Sequence, residues 1–372
     1  MKRFDALDSW RGIAACLVAL YHLRLYSHSH LTMLPLLQHS YLFVDFFFVL
    51  SGFVIAANYE RRLAEGFSLW RFALLRFGRL YPLHLALLAA CILLHLAHSA
   101  SHLGTVSAFQ PPFWSPDTIV ANLLLVNSLH LFSFPTWNQP SWSIGTEFYT
   151  YLLFGLALVL TKRRIAMLMV LVILAAAGAL WLLVGDMDTT FDWGLVRCIF
   201  GFAIGVLAWH ARRAARLRSG TALELAALAL IVAFVCSAGR TKLSLAAPAV
   251  FAPAVLVFAA EAGAVSRILR APAFLWLGAR SYSIYLVHFV VAWLLLDAAK
   301  LAELAGIDLY SGGRLGRTPW EGDLANVVYF ALVLGVAAFT YRAIESPARA
   351  WFRRLAATAP RKEARIEMLQ PK

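Results

Sequence analysis

Apolar runs long enough to cross a bilayer recur along almost the whole of this chain and leave little room for any other architecture. They fall at about 10–26, 41–57, 80–98, 143–161, 165–184, 193–210, 222–239, 246–261, 280–298 and 324–343. A helical span needs roughly 17–25 such residues. The chain is 61% apolar and 14% charged, whereas soluble domains carry about 45–50% and about 25%. The expected fold is therefore an all-α integral membrane protein of about ten transmembrane helices. Residues 1–350 are expected to form the membrane domain and 351–372 a polar cytoplasmic tail.

The net charge of +13 does not point to nucleic acid, because the basic residues sit in short loops between apolar runs and not in a stripe with interleaved aromatics. Arg61–Arg79, Lys162–Arg164, Arg212–Arg218, Arg267–Arg270 and the tail from Arg349 fall on one side. Segments 27–40 and 99–142, which hold no Lys or Arg, fall on the other, with 185–192 and its Asp186 and Asp188. This bias places both termini in the cytoplasm. It also requires that the shorter run 118–133, with Asn122, Asn127 and His130, does not cross, so a re-entrant or interfacial helix is expected there. Arg240, Lys242, Lys300, Arg314 and Arg317 break the pattern in two outer loops. Cys16, Cys91, Cys198 and Cys236 lie in apolar runs without metal spacing and are expected as buried small hydrophobes. The first run lacks a small-residue cleavage site and is expected to be a retained span.

Arg11 and His22 lie on that first run with ten residues between them. Eleven positions make almost three helical turns, so both point to one face about 16 Å apart. Ionisable residues inside a membrane helix mark function by default. Counted from the expected span ends, His22, Asp45 and Glu147 lie at one depth, about 6 Å below the outer edge. A carboxylate that accepts from one imidazole nitrogen raises the basicity of the other, as deprotonation of a hydroxyl requires. His22, Glu147 and Asp45 are therefore the candidate catalytic residues.

On the cytoplasmic side, WRFALLRFGRLYP carries Arg71, Arg76 and Arg79, and Pro82 is expected to open the third span. A helix N-terminus with neighbouring arginines suits phosphate. A polyanionic donor at the cytoplasmic face and a base about 16 Å away fit a long thioester arm such as that of acyl-CoA. There is no metal-ligand spacing, phosphate-cradling glycine loop or nucleophile elbow, and no metal is expected.

Six motifs run from the first span to the last: the Arg11–His22 pair, FVDFFFVLSGFVI at 43–55, RFGRLYP at 76–82, PSWSIGTEFYTYL at 140–152, LGARSYSIYLVH at 277–288 and IESPAR at 344–349. In these the chain resembles the acyltransferase family 3 integral membrane proteins. The resemblance implies a ten-span fold and transfer of an acyl group, mostly acetyl, to surface carbohydrate. It implies Arg11 and His22 as the essential first-span pair, Arg76 and Arg79 near the acyl-CoA donor with Tyr81 beside them, and Glu147 as a functional carboxylate. Ser51, Trp142, Ser143, Tyr285 and His288 are expected to line the substrate channel. Some members carry a C-terminal hydrolase-like domain, and this chain is expected to be a stand-alone form. The expected enzyme is a multi-pass O-acyltransferase of the bacterial inner membrane, moving acyl groups from acyl-CoA to a cell-surface carbohydrate or lipid-linked glycan. A flippase for a lipid-linked saccharide is the alternative.

Overall fold

The computed structural model describes residues 2–101, 114–161, 164–214 and 220–358. Residues 102–113 of the outer loop, 162–163 and 215–219 of two basic loops, and 359–372 of the tail lie outside the described residues. In chain order the helices are α1 (Asp5–Leu23), α2 (Pro35–Gln38), α3 (Phe43–Ala64), α4 (Leu69–Ser101), α5 (Pro116–Leu123), α6 (Trp142–Thr161) and α7 (Ile165–Ala179). They continue as α8 (Gly194–Ala214), α9 (Thr221–Ala238), α10 (Ala247–Phe258), α11 (Ala264–Leu269), α12 (Pro272–Leu304), α13 (Pro319–Thr340) and α14 (Ser346–Thr358). A two-stranded hairpin, Tyr310–Ser311 against Arg314–Leu315, caps the α12–α13 connection. A widened turn, Tyr341–Glu345, joins α13 to α14.

Among the described residues, eight helices are long and apolar enough to cross a membrane, and the protein is an all-α integral membrane protein. The two further expected spans are α1 and α10. Asp5, Asp8, Arg11 and His22 dilute the apolar character of α1. That is tolerable because Ala14, Ala15, Val18 and Ala19 are fully buried in protein and never meet lipid. In α10, 12 residues follow a tight turn, Lys242–Ala246, so the segment is short for a span. Residues 351–358, assigned above to the tail, continue α14.

Lipid is as apolar as leucine, so helices inside it associate by close packing across small residues. Two such seams build the core. Between α1 and α12, a Cβ on Gly12 would lie 2.6 Å from the Gly278 backbone. Between α3 and α8, a Cβ on Gly205 would lie 1.9 Å from the Val49 carbonyl oxygen, and one on Gly52 2.0 Å from that of Phe202. The most apolar stretch of α3 is 83% buried, whereas that of α7 and its extension is 17% buried. Thus α3 is central and α7 faces the lipid.

The 118–133 run is helical only at its start, in the eight residues of α5, too short to cross. The rest is irregular, with Leu125 and His130 at positive φ. Its polar groups are met inside the protein: Asn122 donates to Thr136 Oγ1 at 2.8 Å, and His84 Nε2 lies 2.9 Å from the Asn122 carbonyl. Irregular backbone at membrane depth persists only when satisfied in this way. Two of the outer-loop cations that break the charge pattern have acidic partners there, Arg240 with Asp188 at 2.8 Å and Arg317 with Asp308 at 3.0 Å.

Pro82 does not open a span. It lies inside α4, which begins thirteen positions earlier at Leu69. Proline removes one helical hydrogen bond, and the long apolar run on either side carries the helix through. The helix start expected beside Arg76 and Arg79 is therefore not there in α4, which begins at Leu69.

Gly205→Ala is expected to push α8 from α3 and lower stability by about 1–3 kcal/mol, the usual cost of overpacking. A thermal unfolding midpoint in detergent equal to the parent's would show that the seam is loose.

Candidate active site

A cavity of about 100 Å³ opens between α1, α3, α4, α6 and α12. Ser143, Glu147 and Tyr151 follow at four-residue intervals on α6 and so share one helix face; all three line the cavity. Tyr282 and Tyr285 enter from α12, Ser51 from α3, Arg11 from α1, and Arg76 and Arg79 from α4. Seven of the residues singled out from sequence thus meet at one cavity: Arg11, Ser51, Arg76, Arg79, Ser143, Glu147 and Tyr285. Tyr151 and Tyr282 were passed over in the sequence; only their four-residue spacing from Glu147 and one-turn spacing from Tyr285 could have flagged them.

The three arginines differ in their partners. Arg11 Nη1 lies 3.7 Å from Asp8. Arg76 donates to Tyr59 Oη at 3.1 Å, with its guanidinium 5.0 Å from the Tyr59 ring centroid. Arg79 makes no hydrogen bond or ion pair among the described residues; it feels Glu147, Glu345 and Asp8 only at longer range. A guanidinium has five N–H donors and no acceptor. One that lines a half-buried cavity without a partner is set to receive an anion.

Deeper in the cavity three side chains form a closed triangle. Ser51 Oγ donates to Glu147 Oε1 at 2.6 Å, the Ser51 and Tyr151 hydroxyls lie 2.6 Å apart, and Tyr151 donates to the same Glu147 oxygen. At the far end Ser143 Oγ donates to Tyr285 Oη at 2.9 Å. Three residues beyond Tyr285 on α12 stands His288, whose Nε2 is 3.1 Å from Nδ1 of His22. His22 Nδ1 is also 2.9 Å from the Val18 carbonyl.

The expected grouping of His22 with Glu147 and Asp45 does not form. Ser143 is level with Tyr285, so Glu147, one turn further along α6, lies inward of it, while His22 and His288 lie outward. The axial offset is about 10 Å. Counting from span ends failed because the tight turn Gln139–Ser141 and the Asn138 hydrogen bond to the Leu286 carbonyl at 3.0 Å set where α6 begins. Asp45 is fully buried and gripped by Arg197 of α8, through Nε to Oδ1 and Nη2 to Oδ2, each at 2.8 Å. Arg197 also donates to the carbonyls of Thr189 and Tyr41. Asp45 therefore ties α3 to α8 and does not orient the imidazole. The signal for this was present in the sequence: Arg197 is a lone cation inside an apolar run and demands a counter-charge.

Trp142 packs against Phe48 at 5.9 Å and beneath Arg197 at 5.4 Å, outside the cavity lining. Tyr81 donates to the Leu123 carbonyl at 3.0 Å and stacks on Phe77, so it braces α5 and does not line the cavity. Among the described residues no cluster of three or more His, Cys, Asp or Glu could hold a metal.

The chain belongs to the acyltransferase domain family, acyltransferase family 3, whose model matches residues 4–342. One relative is the acyltransferase MdmB of Streptomyces mycarofaciens, 40% identical over 119 residues, 30% of this chain and 27% of that protein. Another is Protein 2 in picA locus of Rhizobium radiobacter, 44% identical over 93 residues, 24% of this chain and 46% of that protein. The match thus spans less than half the length of either relative. No solved structure matches the chain.

Asp45→Ala leaves Arg197 unpaired and is expected to destabilise by about 3–5 kcal/mol, read as lost thermal stability in detergent. Asp45→Leu combined with Arg197→Met is expected to restore folding and acyl transfer together. A well-folded double variant without transfer would return Asp45 to the catalytic set.

Proposed function

We propose that this acyltransferase takes an acyl group, acetyl by family frequency, from acyl-CoA at the cytoplasmic face and passes it to a hydroxyl of an extracytoplasmic carbohydrate or glycolipid. Arg79 in the cavity, without a hydrogen bond or ion pair among the described residues and flanked by Arg11 and Arg76, carries this reading. In it these guanidiniums take the donor's phosphates, and forked donors suit phosphate better than a point charge does. The pantetheine arm runs up the cavity past Glu147 and Ser51, and the thioester lies toward Tyr285 and Ser143. His22, beyond that end, acts as general base. The acceptor O–H proton passes to the imidazole, the acceptor oxygen bonds the acyl carbon, and the C–S bond breaks with its electron pair going to sulfur. The excess of Lys and Arg in the loops on the donor side supports cytoplasmic termini and a place in a bacterial inner membrane. The triangle of Ser51, Glu147 and Tyr151 supports Glu147 as a fixed wall of the arm's path.

Purified protein with radiolabelled acetyl-CoA and a cell-envelope glycan fraction is expected to label the glycan. His22→Ala is expected to lower that transfer by about 10²–10⁴-fold, the range of a general base, with an unchanged melting temperature. Labelling at the parent rate in that variant would remove His22 from the chemistry. Arg79→Ala is expected to weaken acetyl-CoA binding at least tenfold by calorimetry, about 1.4 kcal/mol, with Arg79→Lys recovering only part. Equal affinity in parent and Arg79→Ala would take the cavity away from the donor.

A further inference from the structure

Among the described residues no carboxylate of the kind that usually orients a histidine base touches His22, and its neighbour is a second imidazole. Two backbone carbonyls decide which ring nitrogens carry hydrogen. A carbonyl oxygen only accepts, so Nδ1 of His288, 2.5 Å from the Tyr285 carbonyl, carries a hydrogen. In the neutral ring its Nε2 is then a bare acceptor. By the same reasoning Nδ1 of His22, 2.9 Å from the Val18 carbonyl, carries the hydrogen of that ring. This hydrogen also faces Nε2 of His288 at 3.1 Å. The lone pair of His22 is left on Nε2, which has no hydrogen-bond partner among the described residues.

We infer that His288 is the positioning residue of the reaction: beside the Val18 carbonyl it accepts from Nδ1–H of His22, orients that ring and shares the charge it gains when its free Nε2 acts as the base. The inference rests on the reading of His22 as base. When Nε2 takes the acceptor's proton, the Nδ1 hydrogen shifts toward Nε2 of His288 and the new positive charge spreads over two rings. The proton leaves with the CoA sulfur or with water, restoring both rings. A second imidazole does this without placing a fixed negative charge at membrane depth, where such a charge is costly. The pair is held firmly. His288 is fully buried, the two ring centroids are 4.9 Å apart, and Tyr329 Oη on α13 reaches both the Ala19 carbonyl at 3.1 Å and the His288 carbonyl at 3.2 Å. That hydroxyl fastens α1 to α12 at the level of the two rings.

The test uses the full chain in lipid nanodiscs, with acetyl-CoA as donor and the envelope glycan fraction as acceptor. His288→Leu is expected to lower turnover about hundredfold, within the range for a disturbed general base, while the donor KM moves less than twofold. His288→Gln, whose Oε1 can accept from Nδ1–H of His22, is expected to recover at least tenfold of that loss. Nitrogen-15 spectra of histidine-labelled protein, assigned by subtraction of His22→Ala, are expected to show His22 hydrogenated at Nδ1 in the parent. The same hydrogen is expected on Nδ1 in His288→Leu, where the Val18 carbonyl still holds it. Parent turnover in His288→Leu overturns the inference. So does His288→Gln as inactive as His288→Leu yet melting at the parent temperature, or an Nε2–H tautomer in the parent. If His22→Ala still transfers acyl groups, the base itself is wrong and the positioning role falls with it. The nitrogen spectra then show separately whether the tautomer was read correctly.

Discussion

Gly12 against Gly278 is the contact on which both ends of the candidate site depend. With no side chain on either residue, α1 and α12 run parallel at backbone distance. Ten residues further along each helix, His22 meets His288, so one register sets the glycine seam and the imidazole pair together. The same register brings Arg11 into the cavity beside Tyr282 and Tyr285. A Cβ at either glycine would force the helices apart, and the effect would reach the rings almost three turns away. Small residues at such a seam are the ordinary means by which membrane helices approach. Here the approach also sets the spacing of functional groups.

The charges inside the apolar region divide into two sets. Asp45 with Arg197 is a closed pair: both are fully buried, bidentate, and supplied with backbone carbonyls for the remaining donors. Glu345 with Arg349 at 3.1 Å, and Ser283 on its other oxygen, is similarly closed. Arg11, Arg76 and Arg79 are open: one looks to an aspartate at 3.7 Å, one to a phenol, and one has no hydrogen bond or ion pair among the described residues. A closed pair fixes helices, and an open guanidinium at a cavity invites an anion. That distinction separates paired charges from those open to a ligand more sharply than depth does.

Much of this was legible in the sequence, and the exceptions share a cause. Apolar runs located nearly every long helix, because the bilayer fixes their length. The charge bias of the loops marked 118–133 as a segment that does not cross, and its helix α5 is only eight residues long. Arg11 and Glu147 stand out as ionisable residues of the spans, Arg76 and Arg79 as cytoplasmic arginines at the start of the third span, and Ser51 through the family resemblance; all line one cavity. What failed was depth read from residue number. Glu147 sits about two turns inward of the level expected for it, because α6 starts where Asn138 is anchored to α12. Pro82 was misread because a local rule for helix starts ignores an apolar run long enough to absorb one lost hydrogen bond. The partner of His22 was invisible, since the contact joins residues 266 positions apart and depends on the glycine register of two helices.

The proposed donor path runs from the Arg11, Arg76 and Arg79 end of the cavity to its Ser143 and Tyr285 end, beyond which His288 meets His22. Electron cryomicroscopy of the protein in nanodiscs with acetyl-CoA tests this directly. The account predicts density for the phosphates among Arg11, Arg76 and Arg79, with the pantetheine arm running past Glu147 toward Tyr285 and the imidazole pair. Phosphates bound at the His22 end, or a donor seated elsewhere with the cavity empty, would contradict it.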